Sequence, residues 1–416
     1  MLSVCFKAEL MRNTLTAGVK RVKQLAVVPE RQSQAAVKKR GFRNVKPLPA
    51  PPAIKRIPNI RDVARRAGVS VATVSFVLNE THRHRILPQT QERVFDAVKQ
   101  LGYSPNLSAR NLSMGRSHIL GVIVSDIRNP FFPEITAAFQ EAANLNDMEA
   151  IVTNTNYDPH RTKDSVNRLL ALQVPGIAIL TSQLDPSIVN VLALRGVCAV
   201  YLDLGRVDHL VSKISVDYEQ GINSALDHIR KLGHTRIGFI GGSPLLHSAQ
   251  VRKRAFVAGV EKISAVQTRI VDCDFSVHGG YVACSKLLAG FPATAILAAN
   301  DLMAIGAIHA AYDRKIRIPE DCSIVGFDDI QFAQHAWPPL TTVAIPRSEI
   351  GRLAFQTLRT MISDPGKPGV EHRVQTSLIV RDSTAAAPGL QPEQERNASE
   401  AFPSKVGQTS GRLAPG

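Results

Sequence analysis

The sequence predicts a small all-α head near the N-terminus, which contains a helix-turn-helix, followed by a larger α/β core of parallel sheets. Two observations support this prediction. Between residues 57 and 105, short amphipathic segments are separated by a glycine, as in two helices joined by a tight turn. Between residues 119 and 384, apolar runs of strand length alternate with helical stretches of ten or more residues, which is typical of parallel sheets covered by helices.

Residues 1–56 are expected to form a disordered basic extension that ends in a proline-rich linker. They hold 13 Lys and Arg against 2 Asp and Glu, and they show little hydrophobic periodicity. Two interpretations stay open. The extension attracts DNA phosphates without sequence preference, or it has no function and translation begins downstream of Met1.

Residues 57–105 are predicted to form the three-helix head. Asn59 can cap the first helix, and Asp62 lies in its first turn, where the helix dipole favours a carboxylate. Gly68 ends that helix, Ser70 can cap the second, and Pro88 begins a third that runs to Leu101. Apolar residues at helical spacing mark the inner faces of the three helices: Ile60, Val63, Ala64, Ala67; Val74, Val77, Leu78; Val94, Ala97, Val98 and Leu101.

The second helix of the head is the predicted DNA-reading element. In a helix-turn-helix the outward face of this helix lies in the major groove, and here that face holds Val71, Ala72, Ser75, Phe76 and Asn79. Short polar side chains suited to phosphate contacts follow the same helix: Ser70, Thr73, Ser75 and Asn79. The alternative is a three-helix bundle with no DNA-binding role.

Residues 106–118 are predicted to form a hinge helix and a linker. Asn106 can cap a helix of barely two turns that extends to Leu112. Because an isolated helix of that length is unstable in water, it should form only against a partner. A plain linker is the alternative interpretation.

The core from 119 onward is predicted to contain parallel strands with helices between them. The predicted strands are Leu120–Ser125, Ala150–Asn154, Ile177–Thr181, Cys198–Asp203, Arg236–Ile240, Thr268–Asp272, Ala295–Ala299 and Ser323–Phe327. Ligands of open α/β sheets bind outside the carboxyl ends of the strands. Polar and aromatic side chains that follow these ends are therefore candidates for a ligand site: Ser125, Phe131, Phe132, Asp203, Phe275, Asn300 and Asp328, with Arg252 expected to open a helix beside them. Asp301 is expected to cap the next helix rather than to contact a ligand. Two alternatives stay open: Asp328 and Arg252 pair only with each other, and Phe131 or Phe132 belongs to the core.

The string from Asp62 to Asn79, D-V-A-R-R-A-G-V-S-V-A-T-V-S-F-V-L-N, resembles the head of the LacI/GalR transcriptional regulators. The string from Tyr103 to Leu112, Y-S-P-N-L-S-A-R-N-L, resembles the hinge helix of that family. The resemblance continues to about Thr384, and it covers neither residues 1–56 nor the tail.

The resemblance implies a core of two lobes shaped like periplasmic sugar-binding proteins. Lobe one would hold about 119–216 and 345–374, including a helix at 347–362. Lobe two would hold about 217–344 and 375–384, including a strand near Ser377–Val380. Residues 385–416 are expected to be a disordered tail. Because the tail lacks the leucine heptad by which some members tetramerise, we expect a homodimer.

The resemblance also implies functional residues. Arg252, Asn300 and Asp328 match family positions that bind the effector, and Phe131, Phe132, Asp203 and Phe275 would line the pocket. Asn106, Arg110 and Leu112 would contact the minor groove, with Leu112 as the wedge that kinks DNA. Phe76 departs from the family pattern, since many members carry Arg or His there, and this predicts a different operator preference.

The predicted function is a transcriptional repressor, without enzymatic activity, whose operator affinity is controlled by a sugar or sugar derivative bound between the lobes. The operator is expected to be a pseudo-palindromic DNA duplex. The formal net charge of +15 lies in the N-terminal part, because residues 119–416 hold 28 Lys and Arg against 29 Asp and Glu.

No catalytic motif, metal-ligand spacing, cofactor loop, membrane span or secretory signal is recognised, so we expect a cytoplasmic, nucleoid-associated protein. The alternatives are a periplasmic sugar-binding protein, which would need a signal peptide, and an α/β enzyme.

Overall fold

The computed structural model describes residues 58–79, 83–104, 117–181, 183 and 185–389. The chain divides into two compact units, whose boundary lies between Tyr103 and Ser104. The predicted N-terminal extension, the hinge helix 106–112 and the tail from residue 390 onward lie outside the described residues.

The head consists of three α-helices, as predicted. They are α1 (Ile60–Ala67), α2 (Val71–Leu78) and α3 (Pro88–Leu101), with a 3-10 turn at Arg83–Arg85 before α3. The inner faces of the three helices meet in a separate small core that contains Val63, Ala64, Ala67, Val74, Val77, Val94 and Ala97.

The helix caps of the head form as the sequence predicts. The side chain of Asn59 accepts hydrogen bonds from the first turn of α1, and Asp62 accepts in return from the Asn59 backbone N–H at 2.9 Å. Gly68 ends α1 with a φ of 66°, a conformation that glycine adopts without strain. Ser70 caps α2 by accepting from the backbone N–H of Thr73 at 3.0 Å. These caps fix the angle at which α2 leaves the turn.

The core contains two six-stranded sheets within the described residues. The strands of the first are β1 (Ile119–Val124), β2 (Glu149–Asn154), β3 (Gly176–Leu180), β4 (Cys198–Leu202), β5 (Val211–Val216) and β11 (Glu371–Val374). The strands of the second are β6 (Arg236–Gly241), β7 (Gln267–Asp272), β8 (Ala295–Ala298), β9 (Ser323–Asp328), β10 (Thr341–Ala344) and β12 (Ser377–Ile379). The first sheet has the order β11-β5-β4-β3-β1-β2, and the second has the order β12-β10-β9-β8-β6-β7.

Helices connect the strands and cover the sheets, as expected for parallel strands that need crossover connections. In chain order they are α4 (Phe131–Asn144), α5 (Pro159–Ala171), α6 (Pro186–Leu194), α7 (Tyr218–Lys231), α8 (His247–Glu261), α9 (Val277–Gly290), α10 (Asp301–Asp313) and α11 (Arg347–Ser363). Among the strands that the structure describes, β10 and β12 pair antiparallel and the other pairs are parallel.

The chain passes between the sheets three times, after β5, after β10 and after β11. We call the first sheet with its helices lobe one and the second sheet with its helices lobe two. Helix α11 follows β10 of lobe two but packs against α4, β3 and β4 of lobe one. The crossings therefore bring residues of both lobes to one edge, where the parallel strands end.

Each predicted strand is present with its ends shifted by no more than about one residue. The sequence analysis missed β5, β10 and β11. Among the residues that the structure describes, none of the helices has the length and hydrophobicity that a bilayer span requires.

Candidate functional site

A cavity of about 420 Å³, a volume that includes its opening to solvent, lies between the strand ends of the two lobes. The lining combines aromatic and aliphatic side chains with a few polar ones: Asn129, Phe131, Phe132, Tyr157, Leu180, Thr181, Leu202, Asp203, Tyr218, Ser248, Arg252, Phe275, Asn300 and Asp328.

Seven of the eight predicted effector residues line this cavity, and Ser125 does not. Ser125 is 1 % exposed, and its carbonyl accepts a hydrogen bond from the backbone N–H of Tyr157 at 3.2 Å. Tyr157 rather than Ser125 therefore reaches the cavity from this pair of strand ends.

A buried ion pair joins Arg252 of α8 to Asp328 at the end of β9. Nη2 of Arg252 lies 3.0 Å from Oδ1 of Asp328, and the two side chains are 5 % and 4 % exposed. Nη1 of Arg252 donates to the carbonyl of Ala299. The guanidinium also lies over the rings of Tyr218 and Phe327, at 4.6 and 4.5 Å from their centroids. Charge, hydrogen bonds and aromatic faces thus fix its position.

Burial raises the pKa of Asp328 to about 6, because the charged carboxylate is desolvated. Arg252 and Arg347 oppose this shift by stabilising the carboxylate. Asp328 therefore depends on its arginine neighbours to remain charged at neutral pH.

Asp203 holds Tyr218 in place. Desolvation raises the pKa of Asp203 to about 6, and two hydrogen bonds counteract the shift. The Tyr218 hydroxyl donates to Oδ2 of Asp203 at 2.5 Å, and the backbone N–H of Val216 donates to Oδ1 at 2.8 Å. Both carboxylate oxygens already accept hydrogen bonds, so Asp203 supports the ring that stacks on Arg252.

The Nε–H of Arg252 is buried, and none of the residues that the structure describes accepts a hydrogen bond from it. A buried donor without an acceptor costs about 1–3 kcal/mol, which a bound acceptor would recover. Besides Asp203, Asp328 and Tyr218, the polar groups of the lining are uncharged amides, hydroxyls and a phenol, contributed by Asn129, Asn300, Thr181, Ser248 and Tyr157. Together with the aromatic walls, this arrangement can bind a molecule that has several oxygen acceptors and an apolar face.

Two local predictions about the second lobe were wrong. Asn300, not Asp301, caps α10, because its Oδ1 accepts from the backbone N–H of Met303 at 2.9 Å. Asp301 is fully buried and accepts instead from the backbone N–H of Ile330 at 2.8 Å and from the Thr342 hydroxyl. Arg252 does not open its helix, since α8 begins at His247, one turn earlier.

Arg347, which the sequence analysis did not single out, links the two lobes beside the cavity. Its Nε lies 2.7 Å from Oε2 of Glu134 on α4 of lobe one. Its two Nη atoms donate to the carbonyls of Asp328 and Asp329 at the end of β9 in lobe two. Asp328 and Asp329 have φ angles of 107° and 52°, so Arg347 holds a strained turn. Arg381 binds the Asp329 carboxylate at 2.7 Å from within lobe two.

The sequence analysis also missed lining residues, and part of the signal for them was present. Thr181 directly follows β3, and Tyr157 follows β2 after a short turn, so the strand-end argument applies to both. Tyr218 follows β5, a strand that was not predicted. Asn129 lies between the end of β1 and Phe131, so the strand-end argument applies to it as well, whereas Ser248 lies in the first turn of α8.

Of the residues predicted on the outward face of α2, Val71, Ala72 and Phe76 are exposed, whereas Ser75 and Asn79 are half-buried. Val71 and Phe76 are 41 % and 40 % exposed, and Ala72 is exposed beside them. Ser70, Thr73, Ser75 and Asn79 lie at the ends or along the sides of the same helix. The predicted DNA contacts Asn106, Arg110 and Leu112 lie outside the described residues. Within the described ranges, no group of three or more His, Cys, Asp or Glu side chains is placed to bind a metal ion.

Two family models match the chain. Residues 59–106 match the model of bacterial regulatory proteins of the lacI family, and residues 226–384 match that of a periplasmic binding protein-like domain. The chain is 31 % identical over 328 residues to the HTH-type transcriptional repressor PurR of Vibrio cholerae, covering 78 % of this chain and 97 % of that relative.

Solved structures of the same kind superpose on the chain. A lac repressor dimer bound to operator and the anti-inducer ONPF matches with a TM-score of 0.69 and 28 % identity, over 80 % of this chain and 100 % of that one. A complex of the transcriptional regulator CelR with cellobiose matches with a TM-score of 0.59 and 28 % identity, over 78 % and 99 %. The head, the two-lobed core and these matches together place the chain in the LacI family of bacterial transcriptional regulators.

Proposed function

We propose that this LacI-family chain is a cytoplasmic, dimeric repressor that binds a pseudo-palindromic operator and changes its affinity when a sugar or sugar derivative enters the cavity between the lobes. One observation carries the effector proposal. Arg252 lines the cavity, is held by Asp328 and two aromatic faces, and has a buried Nε–H with no acceptor among the residues that the structure describes.

The proposed effector contacts are the side chains that the strand ends bring together. Arg252, Asn300 and Asp328 would bind hydroxyl groups, and Phe131, Phe132 and Phe275 would pack against the apolar face of the ligand. Asp203 would act through Tyr218. The matching structure of the transcriptional regulator CelR is a complex with cellobiose.

The proposed DNA contacts divide into two groups. Ser70, Thr73, Ser75 and Asn79 would contact phosphates, which set the register of the head on the duplex. Val71, Ala72 and Phe76 would face base edges. Asn106, Arg110 and Leu112 are assigned to the minor groove by resemblance to the family hinge.

The effector proposal is tested by thermal-shift screening of the full-length protein against a sugar panel that includes ribose, cellobiose and lactose, followed by calorimetry of any hit. Arg252→Met should weaken the binding of the hit by about 10–100-fold, since it removes a hydrogen bond to a charged donor of ~1.5–3 kcal/mol. Arg254→Met is the matched control, because Arg254 is exposed on the same helix. Equal affinity in both variants would remove Arg252 from the site.

A further inference from the structure

The face that α2 presents for base contact is apolar and uncharged. The helix spans Val71–Leu78 and contains no Lys, Arg, Asp, Glu, Gln or His. Its exposed residues are Val71, Ala72 and Phe76. Phe76 has the largest side chain of the three and is 40 % exposed. Burial does not explain these side chains, because the core of the head is formed by the opposite face, which includes Val74 and Val77.

The polar side chains of the same helix bond to each other. The hydroxyls of Ser70 and Thr73 lie 2.8 Å apart, and Ser70 also accepts from the backbone N–H of Thr73. Nδ2 of Asn79 donates to Oγ of Ser75 at 3.1 Å. Bidentate recognition of guanine needs Arg or Lys, and bidentate recognition of adenine needs Asn or Gln with both polar atoms available. The helix is thus poorly equipped for that kind of base readout.

The positive charge of the head lies on other segments. Arg61 and Arg65 are exposed on α1, and Arg85 is exposed in the turn before α3. The side chain of Arg65 is 81 % exposed. Such residues supply the sequence-independent attraction to phosphates. The exposed arginines and the apolar face of α2 therefore lie on different segments of the head.

We propose that α2 selects its operator by apolar contact with pyrimidine C5-methyl groups in the major groove, chiefly through Phe76 with Val71 and Ala72. The C5-methyl of thymine is the apolar feature of a major-groove base edge. This inference rests on the proposed operator-binding function and adds the chemistry by which bases are distinguished. The operator half-site should contain thymines whose methyl groups, rather than their hydrogen-bonding atoms, determine affinity.

The test begins with binding-site selection from a random duplex library, using the full-length protein. Each thymine of the consensus is then replaced singly by deoxyuridine, which removes only the methyl group. At contacted positions the affinity of the wild type should fall about fourfold per methyl, since burying one such group contributes ~0.8 kcal/mol. Replacing a contacted thymine with cytosine, paired with guanine, should weaken binding, and 5-methylcytosine there should restore part of the loss.

Two variants assign the effect to Phe76. In Phe76→Ala the contacted thymine and deoxyuridine should bind nearly equally. Phe95→Ala is the matched control, because Phe95 is also 40 % exposed but lies on α3, and it should retain the wild-type methyl dependence. Circular dichroism of both variants checks that the head stays folded.

The possible outcomes distinguish a failure of methyl recognition from a failure of the proposed operator binding. If selection yields no consensus, the proposed operator-binding function fails. If a consensus emerges but deoxyuridine binds as well as thymine at every position, operator binding stands and methyl recognition is overturned. Equal loss of the methyl dependence in the Phe76 and Phe95 variants would also overturn the assignment to α2.

Discussion

Replacing Asp328 with Asn should destabilise the core strongly, because it leaves the Arg252 guanidinium buried without its carboxylate. The two side chains are 5 % and 4 % exposed, and the pair is separated by 3.0 Å. Removing one partner of a buried pair costs about 3–5 kcal/mol. The Ala299 carbonyl and the stacked rings of Tyr218 and Phe327 remain, so we expect a loss near 3 kcal/mol in the free energy of unfolding.

Removing the other partner, in Arg252→Met, should lower the free energy of unfolding at pH 7 by less than Asp328→Asn does. The pKa of Asp328 is already raised to about 6 by burial, and loss of Arg252 would raise it further. Asp328 can then become neutral by binding a proton, whereas a guanidinium cannot lose its charge at this pH. The double variant Arg252→Met/Asp328→Asn should recover at least 1 kcal/mol relative to the sum of the two single losses.

Urea unfolding at pH 7, followed by circular dichroism, measures these differences. Arg254→Met serves as the surface control and should shift the free energy of unfolding by less than about 0.5 kcal/mol. If Asp328→Asn costs less than about 1 kcal/mol, or if the two single losses add in the double variant, the pair does not hold this end of the cavity together.

Three further predictions concern pH and the contact between the lobes. The pKa of Asp203 is raised to about 6, so the folded state binds its proton more tightly, and its contribution to stability should fall as pH rises from about 4 to about 6. Asp203→Asn should remove this decline in melting temperature measured across that range, and an unchanged slope would contradict the cause assigned. His234 should act with the opposite sign: burial lowers its pKa to about 4, so the unfolded chain takes up the proton first and stability is lost as pH falls from 6.5 to about 4. A His234→Gln variant that loses stability with acid as steeply as the wild type would argue against this. Finally, Arg347→Met should lower the free energy of unfolding in urea by ~2–4 kcal/mol, because the Arg347 side chain is only 8 % exposed. Glu134→Gln should lower it by ~0–1 kcal/mol, because Glu134 is 41 % exposed. Equal losses in the two variants would show that the contacts of Arg347 with the backbone carbonyls contribute nothing.

The hydrophobic pattern was sufficient to predict the position of strands whose side chains are buried on both faces of the sheet. β3 and β4 are buried along their whole length, and their apolar runs were predicted almost to the residue. β11 reads Glu-His-Arg-Val and lies at the edge of its sheet, so it carries no apolar signal. β5 contains the polar residues Ser212 and Lys213, and β10 begins with two buried threonines. The partners of these polar side chains come together only in the folded chain, so the sequence pattern did not indicate buried strands there.

The sequence analysis named seven of the fourteen residues that line the cavity, but the strand-end argument could not assign their roles. Asn300 and Asp301 are adjacent carboxyl-end residues, and only the fold shows that the amide caps α10 while the carboxylate accepts from Ile330. Arg347 was missed because its partners, Glu134 and the carbonyl of Asp328, are far from it in sequence. Contacts of that kind depend on how the lobes meet, which local pattern does not encode.

The most direct test of the account is the operator affinity of the full-length protein, measured by fluorescence anisotropy with and without the sugar that the thermal-shift screen returns. Coupling between the two sites should change the wild-type dissociation constant by about tenfold or more, equivalent to ~1.4 kcal/mol. Arg252→Met should bind operator as the wild type does but show no response at the same sugar concentration, while Arg254→Met responds normally. A wild-type affinity that stays constant although calorimetry shows the sugar bound, or an Arg252→Met variant that responds fully, would contradict effector control through this cavity.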